Sequence, residues 1–286
     1  MATYKDWELY EVLPSGWKID KHCGSPLFGY DFCTDGKSII NGGKRALVKT
    51  ETKKSIMKEF HSDNLHLFNC DNIELMKTFK DKEFDLAIVD PPYGIGEDGS
   101  KNHTRSKLAT AKNYKAYAGN DLNAPDYNYF KELQRISKNQ IIWGANHFIE
   151  NLPTKNATCW IVWDKDNGNS DFADCELAWT SFDTAVRLFK WRWAGMLQQN
   201  MKNKQERIHP NEKPIELYEW LLKNYGKPNF KILDTHLGSG SHGIAIEKAN
   251  QLDKMNLSLT AIELDEEYFD KSVERIKVFK MQKTLF

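Results

Sequence analysis

Phe84-Asp85-Leu86-Ala87-Ile88-Val89, running straight into Asp90-Pro91-Pro92-Tyr93, is the stretch that decides the fold. A short apolar, β-branched run closed by two prolines reads as a buried strand. Such a strand delivers a carboxylate, two prolines and an aromatic ring to its carboxyl end, where open α/β sheets bind ligands. Pro91 and Pro92 have no N–H, and their restricted φ fixes the direction of the local carbonyls. Hydrogen-bond acceptors beside a flat ring suit an amino group on an aromatic base. A strand that merely ends in a proline turn accounts for the same residues without chemistry.

A second strand–loop–helix unit narrows the choice. Lys231-Ile232-Leu233-Asp234 precedes Thr235-His236-Leu237-Gly238-Ser239-Gly240-Ser241-His242-Gly243, and a helical stretch covers 244–249. Glycines between a strand and a helix permit a tight turn and close approach of backbone N–H groups to a ligand. The next strand, Leu257 to Ile262, ends at Glu263. An acid about 20 residues beyond the loop is where nucleotide-binding βαβ units hold ribose hydroxyls. The spacing departs from a dinucleotide fingerprint and disfavours NAD.

Asp90-Pro91-Pro92-Tyr93 resembles the Asp-Pro-Pro-Tyr motif of the amino-group DNA methyltransferases, which methylate adenine N6 or cytosine N4. Asp234 to Gly240 resembles the family's Asp-x-Phe-x-Gly-Ser-Gly cofactor loop, with His236 in place of the aromatic ring and Ser241-His242 in place of two threonines. The catalytic motif precedes the cofactor loop, as in the family's β-type order. Further similar segments are His66 to Asp71, Gln140 to Phe148, Trp160 to Lys165 and His209 to Pro214, so the likeness covers residues 64–275. It implies a Rossmann-like S-adenosylmethionine-dependent methyltransferase fold: a mainly parallel, twisted α/β sheet with helices on both faces and a permuted motif order.

The chain has 286 residues, with 40 basic and 40 acidic side chains and a formal net charge of zero. DNA binding therefore requires local concentration of charge. Residues 1–62, punctuated by Asp35-Gly36 and Asn41-Gly42-Gly43, read as a hairpin-rich appendage, and 63–286 as the catalytic domain. From Leu65 onward strands and helices alternate, with helices expected at 72–79 and 127–137. The runs 176–182 and 184–189 read as paired antiparallel edge strands. No run is long enough to span a membrane and the N-terminus lacks a signal-peptide core, so a cytoplasmic location is expected. Five scattered cysteines form no Cys-x-x-Cys pair; His22-Cys23 with Cys33 would be only half a zinc site, and no metal is expected.

Two stretches break the neutrality. Residues 100–119 carry Lys101, Arg105, Lys107, Lys112 and Lys115 without an acid, beside Tyr114 and Tyr117. Residues 187–207 carry Arg187, Lys190, Arg192, Lys202, Lys204 and Arg207 against Glu206, with Trp191 and Trp193 as candidates for exposure. Bases among aromatics suit phosphate contacts and stacking on an extruded base; solvated polar loops are the plainer alternative. The second stretch is too short for a separate recognition domain. The appendage or a second subunit (a homodimer) is open as a further contributor, and a partner restriction nuclease is allowed but unspecified.

In the chemistry the resemblance implies, Asp90 and the Pro91 carbonyl accept the two N–H bonds of the amine, and Tyr93 stacks on the flipped base, with Pro92 holding the turn. Gly238, Ser239 and Gly240 shape the S-adenosylmethionine loop, Asp234 orders it, Glu263 holds the ribose and Lys213 faces the methionine carboxylate. Asp71 either contacts the cofactor or simply caps a helix, since Asp71-Asn72-Ile73-Glu74 fits a capping box. Asp at position 90 leans toward adenine. Cytosine N4 is the nearest rival, and a silent DNA-binding or S-adenosylmethionine-sensing module the more distant one.

Overall fold

The computed structural model describes residues 57–96, 123–154, 158–167, 173–194, 197–205, 207–209 and 211–283, together with five short strands nearer the N-terminus. The chain divides into two units, Met1–Ile56 and Met57–Phe286. In the first, β1 (Tyr10–Val12) pairs antiparallel with β2 (Lys18–Asp20), and β3 (Asp31–Phe32), β4 (Ser38–Asn41) and β5 (Lys44–Leu47) form an antiparallel sheet.

The second unit starts with β6 (Lys58–His61) and β7 (Leu65–Asn69), antiparallel neighbours; β6 thus belongs to the large sheet although its residues fall within 1–62. Then come α1 (Asn72–Met76), β8 (Phe84–Val89), α2 (Tyr127–Ile136), β9 (Ser137–Trp143), β10 (Trp160–Asp164), β11 (Cys175–Thr180) and β12 (Arg187–Lys190). The small hairpin β13 (Trp193–Ala194) and β14 (Leu197–Gln198) leads to α3 (Ile215–Tyr225), β15 (Lys231–Asp234), α4 (Ser241–Leu252), β16 (Ser258–Glu263) and α5 (Glu266–Lys283). Among the described residues no helix is long and apolar enough to cross a membrane.

The sheet runs β12-β10-β11-β9-β8-β15-β16-β7-β6, with parallel pairing from β9 through β7. The continuous apolar run of β8 follows from burial on both faces. Leu86 and Ile88 join a core with Leu217 and Leu221 of α3, Ile244 of α4 and Phe269 of α5. Ala87 and Val89 join a second core with Met76 of α1 and Phe130 and Leu133 of α2. Each Leu, Ile, Val, Phe or Met side chain so buried contributes about 1.5–3 kcal/mol. The helices start where the sequence supplies caps: Asp71 accepts from Glu74 N at 3.0 Å, and Asp126 accepts from Tyr129 N at 3.0 Å.

The structure corrects the expected edge. β11 is not an edge strand paired with 184–189: it lies between β9 and β10, antiparallel to both. With both ladders of β11 filled, β12 finds its free edge on β10 and pairs parallel to it. β8 and β15 are adjacent and parallel, and the chain leaves them in opposite directions along the sheet. Their carboxyl ends therefore form the switch point where such sheets bind ligands.

Candidate active site

Asp90 and Tyr93 leave β8 at this point. The Tyr93 hydroxyl donates to Asp90 Oδ1 at 2.9 Å and lies 3.3 Å from Glu176 Oε2. Gly144, at the end of β9, takes φ +69°, and a Cβ there would sit 2.1 Å from Cε1 of the Tyr93 ring. The ring thus packs against a position that only glycine accommodates. His147, exposed, stacks on Tyr93 with centroids 5.2 Å apart and planes 15° from parallel. The aromatic face assigned to a flipped base carries a protein ring here.

Lys213 reaches the same cluster from the segment before α3. Its Nζ lies 2.5 Å from Asp90 Oδ2, 3.1 Å from Glu176 Oε2 and 3.1 Å from the Tyr93 hydroxyl. Its ammonium sits on the Asp90 cluster; the expectation had it facing a methionine carboxylate. Glu212 fixes this segment: it accepts from Ile208 N at 2.9 Å and forms an ion pair with Arg275 of α5 at 3.0 Å. Lys165, just past β10, pairs with the other oxygen of Glu176.

Burial pushes the Asp90 carboxyl up, opposed by Lys213 and reinforced by Glu176, and it ends above the ordinary aspartate range. Burial also pushes Glu176 up, but Lys213 and Lys165 outweigh it and hold that carboxyl at about 2. Lys213 loses by burial and gains more from Asp90 and Glu176, so its ammonium is retained. Burial, then the two carboxylates, lifts the Tyr93 hydroxyl well above its usual value, so it stays a donor.

The second half of the site follows β15. Asp234 Oδ1 accepts from His236 N at 2.9 Å, and Oδ2 meets the buried His242 Nδ1 at 2.9 Å. Tyr218 stacks on His242 with centroids 4.6 Å apart. His236, whose burial lowers its pKa to about 4, is a neutral ring between Thr235 Oγ1 and Asn72 Nδ2. Arg275 donates to Ser239 O at 3.0 Å and Ser241 Oγ at 3.1 Å, clasping the loop from α5.

Glu263 Oε2 accepts from Gly238 N at 2.8 Å and Oε1 from Asp265 N at 2.9 Å. Burial, against those two backbone donors, raises its pKa to about 7. Gly238 has φ +54°, and the nearest atom to an added Cβ is His236 O at 3.9 Å, so the loop presents an open backbone face beside the carboxylate. Asp71, at the end of β7 next to β16, spends one oxygen on the α1 cap. A carboxylate with acceptor capacity left, beside an open glycine backbone, fits the hydroxyls and polar edges of a nucleoside.

The basic stretches separate differently. Lys101, Arg105, Lys107 and Lys112 lie outside the described residues, as do His22, Cys23 and Cys33. Arg187, Lys202 and Lys204 are exposed. Arg192 is partly spent: its guanidinium pairs with Asp166, which also holds Lys190 at 3.0 Å. Trp143 and Trp163 are core. Trp193 is buried rather than exposed, because its Nε1 donates to Glu212 O at 2.7 Å and Arg207 covers its ring at 4.5 Å.

Glu176, Lys165, Gly144 and His147 were not among the sequence candidates for the site. Their available signal was position: Lys165 and Gly144 immediately follow strands that run parallel to the same end of the sheet as β8. Glu176 escaped because it lies near the start of an antiparallel strand, opposite Trp163.

A family profile described as DNA methylase, that of the N6/N4 methyltransferases, matches residues 131–274. The chain is 25% identical to the type II methyltransferase M.HinfI of Haemophilus influenzae over 79% of its own length and 72% of that protein's. It is also 25% identical to the type II methyltransferase M2.MboI of Moraxella bovis, over 65% of this chain and 81% of that one. Among solved structures, the M1.HpyAVI–SAM complex aligns with a TM-score of 0.43 and 20% identity, covering 74% of this chain and 99% of that one.

Proposed function

We propose that this chain, which belongs to the N6/N4 family of DNA methylases, transfers a methyl group from S-adenosylmethionine to adenine N6 in DNA. The observation that carries the reading is the adjacency of β8 and β15, which sets Asp90 and Tyr93 one strand from the glycine loop and two strands from Glu263. S-adenosylmethionine, when bound, supplies an electrophilic methyl group. Glu263 would accept from its ribose hydroxyls, the 238–240 backbone would line it, and Asp234, through His236 N and His242, would keep that loop in shape. Asp71 would add an acceptor from the neighbouring strand end.

On the substrate side, an adenine amine is a weak nucleophile because its lone pair is delocalised into the ring. Accepting its two N–H bonds at Asp90 and the Pro91 carbonyl favours a more tetrahedral nitrogen. The rate gain comes from positioning and fixed acceptors rather than a covalent intermediate. The base must leave the duplex for its amine to be reached. Tyr93 then stacks on it, a contact of about 1–3 kcal/mol, and His147 must share or yield that face. Exposed Arg187, Lys202 and Lys204 would contact phosphates, together with Lys101, Arg105, Lys107 and Lys112 of the basic stretch after Tyr93.

Labelled methyl transfer to plasmid DNA tests the reading. Asp90→Ala should nearly abolish transfer while S-adenosylmethionine binding, followed by calorimetry, persists. An Asp90→Ala protein that still transfers at the wild-type rate would remove Asp90 from the chemistry.

A further inference from the structure

Four charged side chains meet at the end of β8: Asp90, Glu176, Lys165 and Lys213, two of each sign. Lys213 is shared between the two acids at 2.5 and 3.1 Å, with its side chain only 5% exposed. Glu176 spends its Oε1 on Lys165 and its Oε2 on Lys213 and the Tyr93 hydroxyl. Asp90 is engaged too, its Oδ1 by the Tyr93 hydroxyl and its Oδ2 by Lys213, so a lysine contests this carboxylate with any substrate donor.

Resting on the methyltransfer reading, we propose that Glu176 is a positioning residue for this reaction: anchored by Lys165, it holds Lys213 and Tyr93 in place and draws part of the ammonium off Asp90, leaving that carboxylate an acceptor for the substrate amine. The amine has to displace the Lys213 and Tyr93 donors from Asp90. A second anion at Lys213 lowers that cost, because the displaced ammonium keeps a partner inside the buried cluster. Without Glu176, Lys213 would pair with Asp90 alone and compete with the substrate.

The sign of the effect distinguishes this role from simple support. The groups facing Asp90 are Tyr93 on its own loop, Glu176 on β11, Lys213 before α3, Tyr129 on α2 and Tyr218 on α3. Removing the Glu176 charge takes away a like charge, so Asp90 ionises at lower pH; removing the Lys213 charge takes away its counter-ion, so Asp90 ionises at higher pH. Both changes act on kcat, since the cofactor-facing residues are untouched by the Glu176 change.

The experiment is the pH dependence of kcat at saturating S-adenosylmethionine for the wild type, Glu176→Gln and Lys213→Met, with cofactor affinity measured alongside. Glu176→Gln should lower kcat about tenfold or more, a loss of about 1.4 kcal/mol of transition-state stabilisation, with affinity within about twofold and Glu176→Asp restoring part of the rate. Its acid limb should move down by about half a unit or more, and that of Lys213→Met should move up. Should Glu176→Gln fail to fold by circular dichroism, Lys165→Met decides: freeing Glu176 for Lys213 should raise the acid limb, and an unmoved limb overturns the proposal. A folded Glu176→Gln with wild-type kcat, or with reduced kcat and an unmoved limb, overturns it as well. A wild type that transfers no methyl group to DNA refutes instead the functional reading beneath it.

Discussion

Gly144→Ala is the sharpest single perturbation of the substrate half of the site. The residue sits at φ +69°, and an added Cβ would lie 2.1, 2.3 and 2.5 Å from Cε1, Cδ1 and Cζ of Tyr93. A non-glycine residue in the left-handed region costs about 1–2 kcal/mol. Forcing an extra methyl into a packed contact costs about 1–3 kcal/mol more. The sum, about 2–5 kcal/mol, corresponds to a fall in Tm of roughly 4–20 °C for a unit of this size. The ring cannot stay where it is, and the face proposed to stack on the base moves with it. Misplacement of a positioning group by an ångström costs about a hundredfold in rate. Scanning calorimetry and labelled methyl transfer check both figures, and the S-adenosylmethionine affinity should hold because the 238–240 loop follows β15 and Glu263 ends β16. A variant that melts and turns over like the wild type would refute the placement of Tyr93 against Gly144.

Glu263, with a pKa raised from 4.5 to about 7, links cofactor affinity and stability to pH. In the ligand-free protein its contribution to stability is full below about 4.5 and lost as pH rises through about 7, because the folded state binds the extra proton across that window. Ribose hydroxyls prefer the ionised carboxylate, so calorimetric affinity should weaken by up to about tenfold per unit as pH falls below 7, and Glu263→Gln should flatten that profile. Replacing Arg187, Lys202 and Lys204 together should reduce the slope of log affinity for DNA against log salt by up to about 3, measured by fluorescence anisotropy, without altering cofactor affinity. Tyr93→Phe should keep substantial activity because the ring face survives, whereas Tyr93→Ala should lose most of it in the same transfer assay.

How much of this was legible in the sequence differs between the two halves of the site. Local pattern was enough for β8 and β15, because each is a short run buried on both faces with an acid at or just past its end. The glycine loop and Glu263 followed for the same reason: a strand, a turn and the next strand are neighbours in the chain, and the Gly238 N to Glu263 bond closes over 25 residues. The Asp90 cluster is a different kind of object. Lys213 is 123 residues from Asp90 by their numbers, and Glu176 comes from a strand whose neighbours on both sides are set by sheet order. Nothing in the text around Glu176 says that β11 runs between β9 and β10. Trp193 misled because aromatics among bases look exposed in sequence, while the Glu212 carbonyl that receives its N–H lies 19 residues away.

At the core of the proposal, Asp90 and the Pro91 carbonyl accept the N–H bonds of an adenine amine while Tyr93 stacks on the base. Product DNA methylated by the purified wild-type protein, digested to nucleosides and read by mass spectrometry, tests it most directly. N6-methyladenine should appear, and should be absent when Asp90→Ala replaces the wild type. N4-methylcytosine as the sole modified nucleoside would contradict it.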